Sequence, residues 1–281
     1  MKRIRDLLIV LLIYIIAFGG GYFSAFWIDN LYLRILLWDV TSTVITFIFS
    51  LIMRNSSVYD PYWSVAPLVF ATYLLFTIGN FTVSNYIFLA CLYIWGIRLT
   101  FNWITTFHDF TYQDWRYVMY KENNGPFMYF FINFFGIHMF PTLLVYAGMM
   151  PIIPLFMSPN NYFVLFGCAI ILFGVSMEFF ADHQMHDFLR NTKERVTCTQ
   201  GLWKYSRHPN YLGEISIWIG VYVSMLLVIP QYWYFLGFIL MILLFEFISI
   251  PMMEKRQIER RSDYQEYRRT TSRLLLLPRR K

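Results

Sequence analysis

The sequence predicts an all-α integral membrane protein: a polytopic helical bundle of about 7–8 transmembrane helices with both termini cytosolic. Three observations carry that expectation. Of the 281 residues, 58% are hydrophobic and only 14% charged, against about 25% charged in soluble domains. The mean hydropathy is +0.47. Cations collect in alternate connections between apolar runs of membrane-crossing length.

A helix that crosses about 30 Å of hydrocarbon needs roughly 20 apolar residues. The candidate spans are 7–27, 33–53, 65–80, 84–100, 127–150, 161–181, 211–229 and 232–250. The first opens as MKRIRDLLIVLLIYIIAF and resembles a signal peptide. Its apolar run continues to Trp27 without a small-residue cleavage site, so it reads as a retained helix. The third is short and open to a tilted or partly re-entrant reading. The fifth runs into Pro151 and Pro154. The seventh and eighth form a hairpin around Pro230 and Gln231.

Charge orients the bundle. Lys2, Arg3 and Arg5 precede the first span; Arg116 and Lys121 lie in 101–126; Arg190, Lys193, Arg195, Lys204 and Arg207 lie in 182–210; the tail from Glu254 is dense in arginine. The connections around 80–85, 151–160 and 230–231 carry no charge. All the basic segments then face one side, and the net charge of +6 fits the positive-inside rule better than nucleic-acid binding. The expected partner is the lipid bilayer, with no nucleic acid. Cys91 and Cys168 lie in apolar runs and Cys198 in a basic loop. No spacing suggests a disulfide framework or zinc site, so all three are expected to be reduced and structural.

Polar residues concentrate at two places. In MEFFADHQMHDFLRN, Glu178 and Asp182 are four apart and share a helical face. Ionisable groups within a membrane helix usually face a bundle interior or wet cavity, which asks for a function; the alternative is a pair of solvated acids past the membrane edge. His183 and His186 beside Asp182 and Asp187 suggest rim hydrogen bonding more than a metal site, and no metal is expected. Next, TQGLWKYSRHPNYLGE brings cations together with Trp203, Tyr205, Asn210 and Tyr211 at a helix start. Arginine and lysine suit phosphate, aromatic and amide groups suit rings, and a helix start aims free N–H groups at an anion. Gly213 allows close approach. Glu214, one turn in, is placed to pair with Arg207 or to accept from a ligand. Ordinary positive-inside charge is the competing reading. Arg98 and Asn102, four apart, either contact a nucleotide, cap their helix or snorkel to lipid phosphate. Trp115 and Arg116 suggest a lid.

GLWKYSRHPNYLGE with ADHQ upstream resembles the steroid 5-alpha-reductase-like family, in the branch sharing the reductase carboxyl-terminal domain. DPYWSVAP (60–67), RLTFNW (98–103) and PMMEKRQIERRSDYQEYRRTT (251–271) extend the resemblance over 58–272. It implies an organisation of amino-terminal helices (1–57), a reductase-like membrane domain (58–272) and a basic cytosolic tail (273–281). It also implies a cytosol-facing NADPH cavity and reduction of a carbon–carbon double bond conjugated to a carbonyl in a sterol or other small hydrophobic lipid. Carried over by motif, the cofactor residues are Glu178, Asp182, Arg190, Arg195, Asn210, Tyr211 and Glu214, with Arg256 and Tyr264 from the tail. Tyr205, Arg207 and His208 join them in the same loop. The family binds the substrate carbonyl with an acid and a tyrosine from early helices; Asp60, Tyr62 and Tyr93 are the candidates here. A tyrosine held near an acid stabilises the enolate that forms. YDPYWS reads equally as an interfacial aromatic belt.

Arg-His-Pro before the Asn departs from the steroid enzymes. Arg207, His208, Pro209, Tyr211 and Gly213 also resemble the isoprenylcysteine carboxyl methyltransferases and phospholipid methyltransferases, which bind S-adenosylmethionine. NYLGE and ADHQ favour the reductase side, and the expected paired tail glutamates are only partly matched by Glu254 and Glu259. A third reading is a non-catalytic lipid-binding protein that keeps the fold. The expected location is the endoplasmic reticulum if the protein is eukaryotic, the inner or plasma membrane if bacterial. Asn80-Phe81-Thr82 is a glycosylation sequon compatible with the former.

Overall fold

The apolar runs fold as helices between the caps that the sequence supplies. In the computed structural model, which describes residues 2–280, these are α1 (Lys2–Ala25), α2 (Leu31–Ile52), α3 (Tyr62–Ile78), α4 (Val83–Thr106), α5 (Trp115–Glu122), α6 (Pro126–Met157), α7 (Val164–Asn191), α8 (Pro209–Leu226), α9 (Tyr232–Arg260) and α10 (Tyr264–Thr270). Asn30, Thr82 and Asp114 cap α2, α4 and α5 by accepting from backbone N–H groups two or three residues on. The architecture is all-helical, with no strand among the described residues. Among the described residues seven helices are long and apolar enough to cross a membrane. The third run is not short: a 3₁₀ turn at Ser56–Tyr59 leads into α3, giving a 23-residue span. The seventh run forms α8, whose 18 residues include Asn210, Glu214 and two serines and fall short of the seven in apolar character.

The chain forms two compact units, residues 1–160 and 161–281. In the first, α1 docks on α2 through Trp38 Nε1, which donates to the Phe18 carbonyl at 2.7 Å, and Ser42 Oγ, which donates to that of Ala17 at 3.0 Å. Phe18, Trp38, Tyr62 and Phe70 fill the core with stacked and edge-to-face rings. The connection after α4 is pinned. Asp6 accepts from Phe110 N (3.2 Å), and Asn55 Nδ2 donates to the carbonyls of Phe110 (2.9 Å) and Tyr112 (2.7 Å). The Asn80 amide is likewise committed, donating to the carbonyls of Phe156 and Ser158. A glycan on that nitrogen would remove one of the two N–H donors.

Both α6 and α9 carry a widened π-helical stretch, Ile132–Met139 and Phe245–Ser249, just before a proline, Pro141 and Pro251. Proline lacks the N–H and crowds the preceding turn, and the extra residue per turn absorbs both defects.

In the second unit α7 and α8 pack along a glycine seam. Gly167 and Gly174 on α7 face Gly220 and Gly213 on α8; a methyl group on Gly213 would sit 2.6 Å from the Gly174 carbonyl and 2.6 Å from Glu178 Cγ. Only residues without a side chain allow two backbones this close. Cys91, Cys168 and Cys198 are all free and buried.

Candidate functional site

The glycine seam has a chemical consequence: it brings the two polar stretches of the sequence together. Glu178 of α7 lies against Gly213, and Glu178 and Glu214 are 4% and 5% exposed. Glu214 accepts from Trp218 Nε1 at 3.0 Å.

The loop between α7 and α8 is strapped on both sides. Gln184 of α7 accepts from Leu202 N (2.8 Å), and Trp203 Nε1 donates to the Ala181 carbonyl (3.0 Å). Gly201 turns here with φ +55°, and a methyl group on it would meet the Gln184 side chain at 2.3 Å. Both the backbone angle and the space therefore require glycine. From the other side, Tyr267 Oη donates to the carbonyls of Trp203 (2.6 Å) and Ser206 (3.2 Å), and Asp263 accepts from Thr197 N and Oγ1, both at 2.8 Å. Burial holds the Tyr264 and Tyr267 phenols well above their ordinary range, so both stay protonated.

At the mouth of α8 the charges converge on Glu254 of α9, itself buried. Arg207 Nε lies 2.8 Å from Glu254 Oε1, His208 Nε2 3.2 Å from the same oxygen, and Arg268 Nε 3.3 Å from Oε2. Arg207 also donates to the carbonyls of Arg268 and Thr271. The His208 ring stacks on Tyr211, with centroids 5.4 Å apart, and Tyr211 packs tilted against Phe245. Burial outweighs the Glu254 carboxylate and holds His208 below its ordinary pKa of 6.5. Arg207 and His208 are thus committed to fixing the loop.

The other residues singled out from the sequence divide by exposure. Asp182 and Asn210 are half-buried; Arg190, Arg195, Lys193 and Lys204 are exposed, as is Tyr205. Arg256 is half-buried on α9 and Tyr264 buried on α10. His183 pairs with Asp187 in the open (3.1 Å). Among the described residues no cluster of three or more His, Cys, Asp or Glu could hold a metal. Residues 161–281 therefore assemble buried acids behind a loop that carries exposed cations. That donor set suits a ligand with both hydroxyl or amide groups and phosphate charge.

The three candidates in residues 1–160 do not form one cluster. Tyr62, 2% exposed, donates to Asp39 Oδ1 at 2.7 Å and lies 3.1 Å from the Asp39 carbonyl. Asp60 accepts from Tyr117 Oη at 2.6 Å. Tyr93 Oη lies 2.7 Å from Thr72 Oγ1. Thr72 is ten residues beyond Tyr62 on α3, about 15 Å at helical rise. Asp60 is thus bonded to Tyr117, while the acid bonded to Tyr62 is Asp39, on α2. Around this pair runs a wholly buried hydroxyl chain: Tyr59 Oη lies 2.6 Å from Thr142 Oγ1, which lies 2.7 Å from Thr43 Oγ1. The Tyr59 ring stacks on Tyr62 and packs tilted against His138. Trp115 opens α5, and Arg116 forks onto Asp114 (2.8 and 3.2 Å), so that segment is held.

The sequence reading missed Asp39, Gln184 and Tyr267, and it named Glu254 as a partial match to the methyltransferase tail without its partners Arg207 and His208. Asp39 carried a usable signal, being a lone acid inside an apolar run.

Comparison with known proteins places the chain. A family model described as protein of unknown function (DUF1295) matches residues 46–271, and the chain belongs to that family. The family is in general one of steroid 5-alpha-reductase-like membrane proteins. An uncharacterized protein of Schizosaccharomyces pombe is 24% identical over 199 residues, covering 60% of this chain and 57% of that relative. The chain thus spans a little over half the length of the curated relative it matches. No solved structure matches.

Proposed function

We propose, with membership of the DUF1295 family as the premise, that this membrane protein is an NADPH-dependent reductase. Its reaction is reduction of a carbon–carbon double bond conjugated to a carbonyl in a lipid or sterol-like substrate. The observation that carries the reading is the meeting of Glu178 with the Asn-Tyr-Leu-Gly-Glu element inside residues 161–281, while Arg190 and Arg195 stand exposed on the connecting chain. Buried acids and Asn210 suit ribose hydroxyls and the nicotinamide amide; the exposed arginines suit phosphate. Asp182, Tyr205, Tyr211, Arg256 and Tyr264 complete the set carried over from the resemblance, and Arg207 and His208 serve it by holding the loop against Glu254.

Bound NADPH supplies hydride to the beta carbon of the conjugated system. The chain's own tasks are to hold the nucleotide, keep water away and polarise the carbonyl oxygen. The last task falls to Tyr62. Its hydroxyl donates to Asp39 in this structure; turned from that acceptor onto the substrate, the same O–H is the donor that a developing enolate needs. The test is NADPH consumption by detergent-purified protein supplied with sterol and non-sterol enone lipids. Turnover that Tyr62→Phe lowers at least about 100-fold, the scale of general acid catalysis, supports the reading. NADPH consumption that Tyr62→Phe leaves unchanged removes Tyr62 from it.

One observation favours a second reading. Glu254 bonded to the Arg-His of Arg-His-Pro-x-Tyr-x-Gly is a tail acid joined to the very motif that resembles the methyltransferases. Methyl transfer from S-adenosylmethionine to a lipid acceptor, with no NADPH binding, would establish it. Nucleotide binding without turnover of any lipid would favour a non-catalytic lipid-binding role.

A further inference from the structure

The stretch after α10, Ser272-Arg273-Leu274-Leu275-Leu276-Leu277-Pro278-Arg279-Arg280, has no task in the reading above. It runs beside the loop that enters α8 and is bonded to it. Arg207 N donates to the Ser272 carbonyl (2.9 Å), Ser206 Oγ to that of Leu274 (2.7 Å) and Leu277 N to that of Tyr205 (3.2 Å). Arg280 N donates back to the Thr270 carbonyl (2.8 Å). A segment tied at four points is held in place, yet Leu275, Leu276 and Leu277 are 57%, 37% and 47% exposed.

Its position explains that exposure. Arg273 pairs with Glu246 of α9 (3.1 Å) and donates to the Glu246 carbonyl (2.6 Å). Glu246 belongs to the apolar run of α9, and the next two side chains, Phe247 and Ile248, are exposed as those of a lipid-facing helix are. The strap therefore stands beside the lipid-facing surface of a spanning helix. Arg279 and Arg280 are exposed at its far end. Leucines next to arginines at a membrane border match the two layers found there, acyl chain and phosphate.

We propose that residues 272–280 are an interfacial anchor. Leu275, Leu276 and Leu277 lie in the boundary of the bilayer, and Arg279 and Arg280 bind anionic phospholipid headgroups. Lipid is the occupant because the strap adjoins an apolar surface that already faces lipid and ends in cations that complement anionic headgroups. Arginine forks onto phosphate oxygens, which suits it to this place. The anchor would also steady Tyr205, Ser206 and Arg207, whichever cofactor their loop takes.

The test uses the full chain in lipid nanodiscs, with an environment-sensitive fluorophore on Leu276→Cys and, separately, on Leu275→Cys. Cys91, Cys168 and Cys198 are buried and serve as the unlabelled background. Discs contain phosphatidylcholine alone or with phosphatidylglycerol, and a nitroxide lipid acts as quencher. The expected result is a blue-shifted probe that the nitroxide lipid quenches, more strongly in the anionic discs. The docked-to-undocked ratio should fall about fivefold for each of Arg279→Ser and Arg280→Ser there. A water-exposed, unquenched probe in both discs would overturn the proposal. A probe shielded from water but not quenched by lipid would overturn it in favour of a protein partner. Equal quenching in both discs, unmoved by the arginine substitutions, would overturn the headgroup assignment.

Discussion

In residues 1–160 the buried polar groups are mainly hydroxyls and amides wrapped in aromatic rings, among them Tyr59, Thr43, Thr142 and Asn133, with the Asp39 carboxyl in their midst. In residues 161–281 they are full charges gathered on one glutamate, Glu254, at the mouth of α8. The difference follows from the cost of burial. A hydroxyl needs only one or two partners to be tolerated among apolar side chains, so a chain of them sits at mid-helix. A carboxylate needs cations and several donors, and those come from the loop and tail beyond the helix ends. The first region is therefore held by packing and neutral bonds, the second by charge and by the absence of side chains along the α7–α8 seam.

Substitutions break this contrast in graded fashion. Glu254→Gln removes the anion that balances Arg207 and Arg268 and should cost about 3–5 kcal/mol, the scale of a broken buried pair, read as a lower thermal midpoint in detergent. Gly213→Val pushes a side chain into the Gly174 carbonyl and Glu178, with backbone on one side. About 2–3 kcal/mol is expected, together with faster proteolysis of the loop before α8. Tyr62→Phe deprives Asp39 of its phenol and should cost about 1–3 kcal/mol by the same midpoint. That loss arises within residues 1–160, so nucleotide binding should be spared.

The smallest effect is a pH slope. His208 faces Glu254, Arg207 and Arg273, and burial holds it below its ordinary value of 6.5. The unfolded chain therefore takes up the proton first as pH falls. The contribution of neutral His208 is complete above about pH 6.5 and is lost as pH drops below it toward the folded value. The thermal midpoint of the wild type should fall across that window more steeply than that of His208→Gln. Equal slopes would place the titration elsewhere.

Much of the architecture was legible because hydrophobic runs of fixed length have one solution in a bilayer. The run at 65–80 proved longer because Ser56–Tyr59 leads into it as a 3₁₀ turn, which apolar length cannot reveal. The family resemblance grouped Glu178 with Asn210–Glu214, and Gly213 read as a point of close approach, but the glycines that face it across the seam were not read from the sequence. What spacing could not give was partners distant in the chain. Glu254 lies 47 residues beyond Arg207 and Tyr267 64 beyond Trp203, and nothing local selects them. Tyr62 was grouped with Asp60 rather than with Asp39 because Asp39 lies on a different helix, in a run read only for its apolar length.

The most direct test of the account is equilibrium binding of NADPH, NADH and S-adenosylmethionine to the detergent-purified protein, with Glu214→Gln and Arg195→Ala alongside. NADPH is expected to bind and both substitutions to weaken it, Arg195→Ala about tenfold through one lost charge-assisted contact and without a change in thermal midpoint. Selective binding of S-adenosylmethionine, or NADPH binding indifferent to both substitutions, would contradict it.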